Sequence, residues 1–88
     1  MSGGHFAYQQ YNITTIADTI ESIVRNNTQP DEDGYIYNFS EETIKEFREA
    51  VRLLKLAGVY AQRIDWLLSG DDGEESFHER LKEEIEKL

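Results

Sequence analysis

Residues 40–69 carry apolar side chains at a spacing of three and four without a break, and this run constrains everything around it. One row comprises Ile44, Phe47, Val51 and Leu54; a second comprises Ala50, Leu53, Ala57, Tyr60, Ile64 and Leu67. That period belongs to a helix, not to a strand, whose faces alternate every second residue. Two adjacent rows make a face wide enough to touch two neighbours. Lys45, Arg48, Arg52, Lys55 and Arg63 are expected on the opposite side.

The ends of the run are marked. Ser40 can cap the free N–H groups of a first turn, and Glu41 and Glu42 suit the positive end of the helix dipole. Phe39 can staple onto Ile44. Ser69-Gly70 supplies a glycine stop. Gly58, near the middle, costs about 1 kcal/mol against alanine inside a helix. A neighbouring helix that approaches closely would explain it, and the expectation is one continuous helix rather than a break.

The flanks are shorter. Ile13, Ile16, Ala17, Ile20, Ile23 and Val24 form a heptad-like stripe, which predicts a helix over about 13–27, capped by Asn12 or Thr15. Glu21 is expected near its outer face, paired with Arg25. Phe77, Leu81, Ile85 and Leu88 form a narrow stripe over about 73–88, opened by Asp72 in a capping-box arrangement with Glu75. Residues 1–11, with Phe6, Tyr8 and Tyr11, read as an extended arm covering an edge of the core, or as an aromatic contact patch. Residues 28–39 contain Pro30 and Asp33-Gly34 and read as a loop, with the alternating Tyr35, Tyr37 and Phe39 as an extended connector rather than a paired strand. The expectation is a single all-α domain over 1–88: three helices, the central one long. That rod, about 45 Å at 1.5 Å per residue, would overhang a compact chain of this length, whose radius of gyration is about 12 Å. A dimer would cover the overhang.

Composition narrows the classes. The chain has no cysteine, so disulfides and thiolate metal sites are excluded. Lys55 interrupts the least polar stretch, near 53–61, well short of the ~20 residues that span a bilayer. The opening residues are neither basic nor followed by an apolar run, so no signal peptide is expected and the default compartment is the cytoplasm. Eighteen acidic against nine basic residues give a formal charge of −9, which argues against direct binding to nucleic-acid backbones.

Candidate chemistry is thin. His5 lies too far from the amino end for an amino-terminal copper site. Glu75 and His78 share a helical face, but a di-iron bundle needs two such pairs and further inward glutamates. Residues 29–40 place Asp31, Asp33, Gly34 and Ile36 as in a calcium loop, yet its first and twelfth positions are Gln29 and Ser40. Glu46 and Glu49 could hold magnesium only with a facing acidic pair, as in all-α nucleotide pyrophosphohydrolases, and no such partner is evident. No cofactor or metal is expected, and no catalytic residue is assigned.

Two stretches carry a resemblance: Ser2-Gly3-Gly4-His5-Phe6 followed by Tyr8, and the segment 63–77, Arg-Ile-Asp-Trp-Leu-Leu-Ser-Gly-Asp-Asp-Gly-Glu-Glu-Ser-Phe. Together they resemble small proteins encoded in phage, prophage and bacterial genomes. The resemblance implies a phage or bacterial source and an intracellular setting, and it carries over no catalytic residue. The leading expectation is a non-enzymatic protein that binds another protein or itself. An acidic DNA mimic and a metal-dependent nucleotide hydrolase are the alternatives. Partner contact is assigned to Phe6, Tyr8, Trp66, Asp71 and Asp72, and to the basic row of Lys45, Arg48 and Arg52.

Overall fold

The computed structural model describes residues 6–30 and 32–88, so Asp31 and the residues before Phe6 lie outside it, and with them His5 and most of the first resembling stretch. It contains α1 (Gln10–Arg25), α2 (Glu41–Leu68) and α3 (Glu74–Glu86), with no strand among the described residues. The fold is all-α with a long central helix, as the spacing predicts.

Helix α2 starts where Ser40 accepts the Thr43 amide N–H and continues unbroken through Gly58. At its end the Ser69 N–H donates to Asp65 O, and Gly70 takes φ +84, a conformation that costs glycine little. Helix α1 runs antiparallel to α2. Gln10 Nε2 donates to Gln62 Oε1 at 2.8 Å near one end, and Glu21 meets Lys55 Nζ at 3.3 Å further along. The face of α2 towards α1 is a seven-residue series, Ile44, Val51, Gly58 and Asp65, all buried. A Cβ on Gly58 would stand 2.8 Å from Thr14 Cγ2. The glycine is therefore the point of close approach, which compensates for its low helix propensity.

Several expectations are corrected. Helix α1 begins at Gln10, not residue 13, so Tyr11 is helical, and its N-cap Gln9 makes no side-chain cap bond. Phe6–Gln9 is not an extended arm but a turn, with Ala7 (φ 54) and Tyr8 (φ 64) both left-handed. Tertiary anchors decide this: the Phe6 N–H donates to Asp65 Oδ1 at 2.8 Å, and buried Gln10 is tied to Gln62. Glu21 reaches across to Lys55 instead of pairing with Arg25. Asp72 does not cap α3. Gly73 is the N-cap residue, and its N–H donates to Ser76 Oγ.

The connector contains no strand among its described residues, with Asn38 left-handed at φ 50, and one side chain pins its end. Asn27 Oδ1 accepts the Phe39 N–H (2.8 Å), and Asn27 Nδ2 donates to Phe39 O (2.9 Å). Rings of Tyr35, Tyr37, Phe39 and Phe47 follow one another with centroids 5.0, 5.5 and 5.3 Å apart. Phe39 thus joins the ring of Phe47.

The molecule is a thin slab with Cα extents of 47 × 27 × 14 Å and a radius of gyration of 16.4 Å, well above the ~12 Å of a compact chain this long. Helix α3 packs on α2 and not on α1. The apolar core is correspondingly small: Ala17, Ile44 and Val51.

Gly58→Ala is expected to lower unfolding stability by about 1–2 kcal/mol despite alanine's better helix propensity, because the methyl overpacks against Thr14. In a Thr14→Ser background, which removes that methyl and keeps the hydroxyl, the same change should be neutral or mildly stabilising. Urea denaturation of the four variants measures both.

Candidate interaction surfaces

Helix α2 presents three faces, and the first is buried from Ile44 to Asp65. The first is the seam with α1. The second is a stripe at helical spacing, Arg48, Arg52, Lys55, Val59, Arg63 and Trp66. Helix α3 folds back over the Val59–Trp66 half of this stripe. Arg63 is only 2% exposed, not solvated as its place in the basic set suggested. Its guanidinium stacks 4.0 Å from the Trp66 ring and forms ion pairs with Asp72 (3.8 Å) and with Glu84 of α3 (3.7 Å). Neither contact is a close hydrogen bond: Arg63 Nε and Asp72 Oδ2 are buried without a hydrogen-bond partner. The charges attract in a poorly hydrated setting, so each depends on the other remaining in place. Trp66 also holds the corner, because its carbonyl accepts the N–H groups of Asp71 (2.9 Å) and Asp72 (3.2 Å).

The other half of the stripe is open. Arg52 donates to both carboxylate oxygens of Glu49 at 2.5 and 3.2 Å. Those hydrogen bonds, with the guanidinium charge, hold the Glu49 carboxyl below its usual value. Lys45 and Arg48 form no ion pair among the described residues. Between this half and α1 lies a groove of about 740 Å³, floored by Val24 and Val51 and bounded at one end by Leu88.

The third face is apolar and bare. Leu53 is 48% exposed, Tyr60 42% and Leu68 54%, with Ala57 also exposed and Ile64 half-buried. Ile16 of α1, 51% exposed, adds to the uncovered apolar surface. The wide apolar face of α2 is therefore only partly covered by its two neighbours. The first row faces α1, whereas α3 sets Glu84 against Arg63, and Leu53, Ala57 and Tyr60 of the second row stay exposed while Ala50, Ile64 and Leu67 are half-buried. The reason is chemical: α3 is acidic with a narrow apolar stripe, and Arg63 supplies a counter-charge for Glu84.

The sequence-assigned contact residues fall into two groups. Trp66 and Asp72 meet at Arg63, Phe6 is held separately by Asp65 on the seam face of the same helix end, and Asp71 lies exposed at the corner. Tyr8 stacks on Tyr11 at 6.0 Å. Segment 63–77 is thus tied to the start of the described chain where the Phe6 N–H donates to Asp65. Lys45, Arg48 and Arg52 stand apart, with Arg48 about 27 Å from Trp66 along the helix. Arg63, Asp65, Gln10 and Gln62 had no assigned role. For Asp65, Gln10 and Gln62 the signal was present, as polar residues at core-facing helical positions; for Arg63 it was not. Among the described residues, no three or more His, Asp or Glu side chains gather as a metal site would require. No family model, curated protein or solved structure matches the chain.

Arg63→Ala strands buried Asp72 and is expected to cost about 3 kcal/mol, with a shift in the emission of Trp66. In an Asp72→Asn background the same substitution should cost at least about 1 kcal/mol less. Additive losses across that double-mutant cycle would show that the pair is not coupled.

Proposed function

We propose that this chain is a non-enzymatic interaction protein whose first partner is a second copy of itself, joined through the bare face of α2. The observation that carries the reading is the exposed row of Leu53, Ala57, Tyr60 and Leu68, flanked by Ile16 of α1. These residues recur at helical spacing and form one stripe, unlike scattered surface apolar groups. The size of the surface supports a dimer. The chain exposes 6567 Å², whereas a folded monomer of its mass, 10.2 kDa, exposes about 5,300 Å². The excess of about 1,300 Å² exceeds the ~800 Å² per partner that a standard interface buries. Two copies related by a two-fold axis would place the same stripe against itself, so the contact closes and does not propagate into fibres. Small side chains at Ala50, Ala57 and Ala61 would admit the facing helix.

The resemblance to phage and bacterial proteins supports an intracellular setting for such a unit, and among the described residues no helix is long and apolar enough to cross a membrane. The alternatives have less support. An acidic DNA mimic needs an uninterrupted negative surface, and the exposed Lys45, Arg48 and Arg52 break it. For a metal-dependent hydrolase, Glu49 would have to release Arg52 before taking a metal.

Sedimentation equilibrium tests the reading. The wild-type chain is expected to sediment as a reversible monomer–dimer equilibrium, with the dimer predominant at the highest concentration. Leu53→Glu and Leu68→Glu, both at exposed sites, should remain helical and sediment as monomers. A monomeric wild type, or variants that dimerise as tightly as the parent, would overturn it.

A further inference from the structure

The open half of the charged stripe points to a second contact, independent of the self-association face. We propose that the groove between α1 and the N-terminal half of α2 docks an acidic amphipathic helix of a partner protein. Its rim carries Arg25 from α1 and Arg48, Arg52 and Lys55 from α2, and Glu21 is the one acid that lines it. Val24 and Val51 supply an apolar floor. Lys55 is shared with Glu21 and Arg52 with Glu49, while Arg25 and Arg48 make no ion pair among the described residues. Two free guanidinium groups beside an apolar floor, on a chain of net charge −9, select for an acid-bearing partner by charge complementarity.

The fold itself shows what this stripe accepts. Its other half already holds α3, an acidic helix whose Phe77, Leu81 and Ile85 fall at spacings of four, with Leu88 three residues on, just past its end. That helix sets Glu84 against Arg63, one residue of the same stripe that continues through Lys55, Arg52 and Arg48. Leu88 lies at the mouth of the groove, so a docked helix would continue the line of α3. The open part of the stripe, from Arg48 to Lys55, is about 10 Å long, or two helical turns. Such an occupant would present one or two apolar anchors to Val24 and Val51, with glutamates towards Arg25 and Arg48.

The probe is a synthetic peptide with the sequence of residues 74–88, labelled at its amino end and titrated with the whole protein by fluorescence anisotropy. Saturable, salt-sensitive binding is expected, weakened about ten-fold or more by Arg48→Glu and by Arg25→Glu. The emission of Trp66, which lies under α3 and away from the groove, should not change. Leu53→Glu protein should bind the peptide as well as wild type does, which separates this contact from self-association. No saturation up to about 1 mM would overturn the proposal. So would binding that ignores both charge reversals, or binding accompanied by a Trp66 change, which would mean that the peptide displaces α3 from its own place. A peptide with lysine in place of each glutamate should not bind, and tighter binding by that peptide would also overturn it.

Discussion

The contact between α1 and Gly58 sets the distance between the two main helices, and the rest of the slab follows from it. With no side chain at position 58, Thr14 can approach the backbone of α2, and Ala17 lies fully buried nearby. The seven-residue series Ile44, Val51, Gly58 and Asp65 keeps this seam on one side of α2 along the length of α1. Because the seam closes on Gly58, Thr14 and Ala17, only Ile44 and Val51 add larger buried apolar side chains to it. The pair alone therefore cannot enclose the second apolar row of α2, and another surface must cover it if it is to be removed from water.

Polar contacts set the ends where apolar burial does not. At the C-terminal end of α2, Arg63, Asp72, Glu84 and Trp66 fix the reversal into α3, and Asp65 holds the Phe6 amide. At the opposite end Asn27 clasps Phe39 through both of its side-chain groups. These contacts are directional and fix one arrangement more strongly than they raise stability. The result is a rigid frame with a small core, which suits a protein that completes its burial on a partner.

Helix α2 was legible almost residue for residue, because its cap, its glycine stop and its apolar spacing agree. So was the continuity through Gly58, since the physical reason for a glycine there is also the reason for close packing. The reading failed where charge or tertiary bonding overrides pattern. Arg63 shares a face with solvated cations, and nothing in its spacing shows that α3 will close over it. The start of α1 was placed late because Tyr8 and Tyr11 break the apolar phase, whereas buried Gln10 and its partner Gln62 carry the information. The assigned contact residues were split for a similar reason: Trp66 and Asp72 are tied into a structural corner, while Arg48 and Lys45 remain exposed. The second row was legible as apolar, but nothing in its spacing shows that part of it stays exposed.

Small-angle scattering over a dilution series tests the account most directly, since it reads both the shape of one copy and its association. At high dilution the radius of gyration should approach 16.4 Å. Forward scattering per unit mass should rise about two-fold with concentration and level off there, as a closed two-fold pair requires. A radius near the ~12 Å of a compact chain, with forward scattering that stays at the one-copy value throughout, would contradict it.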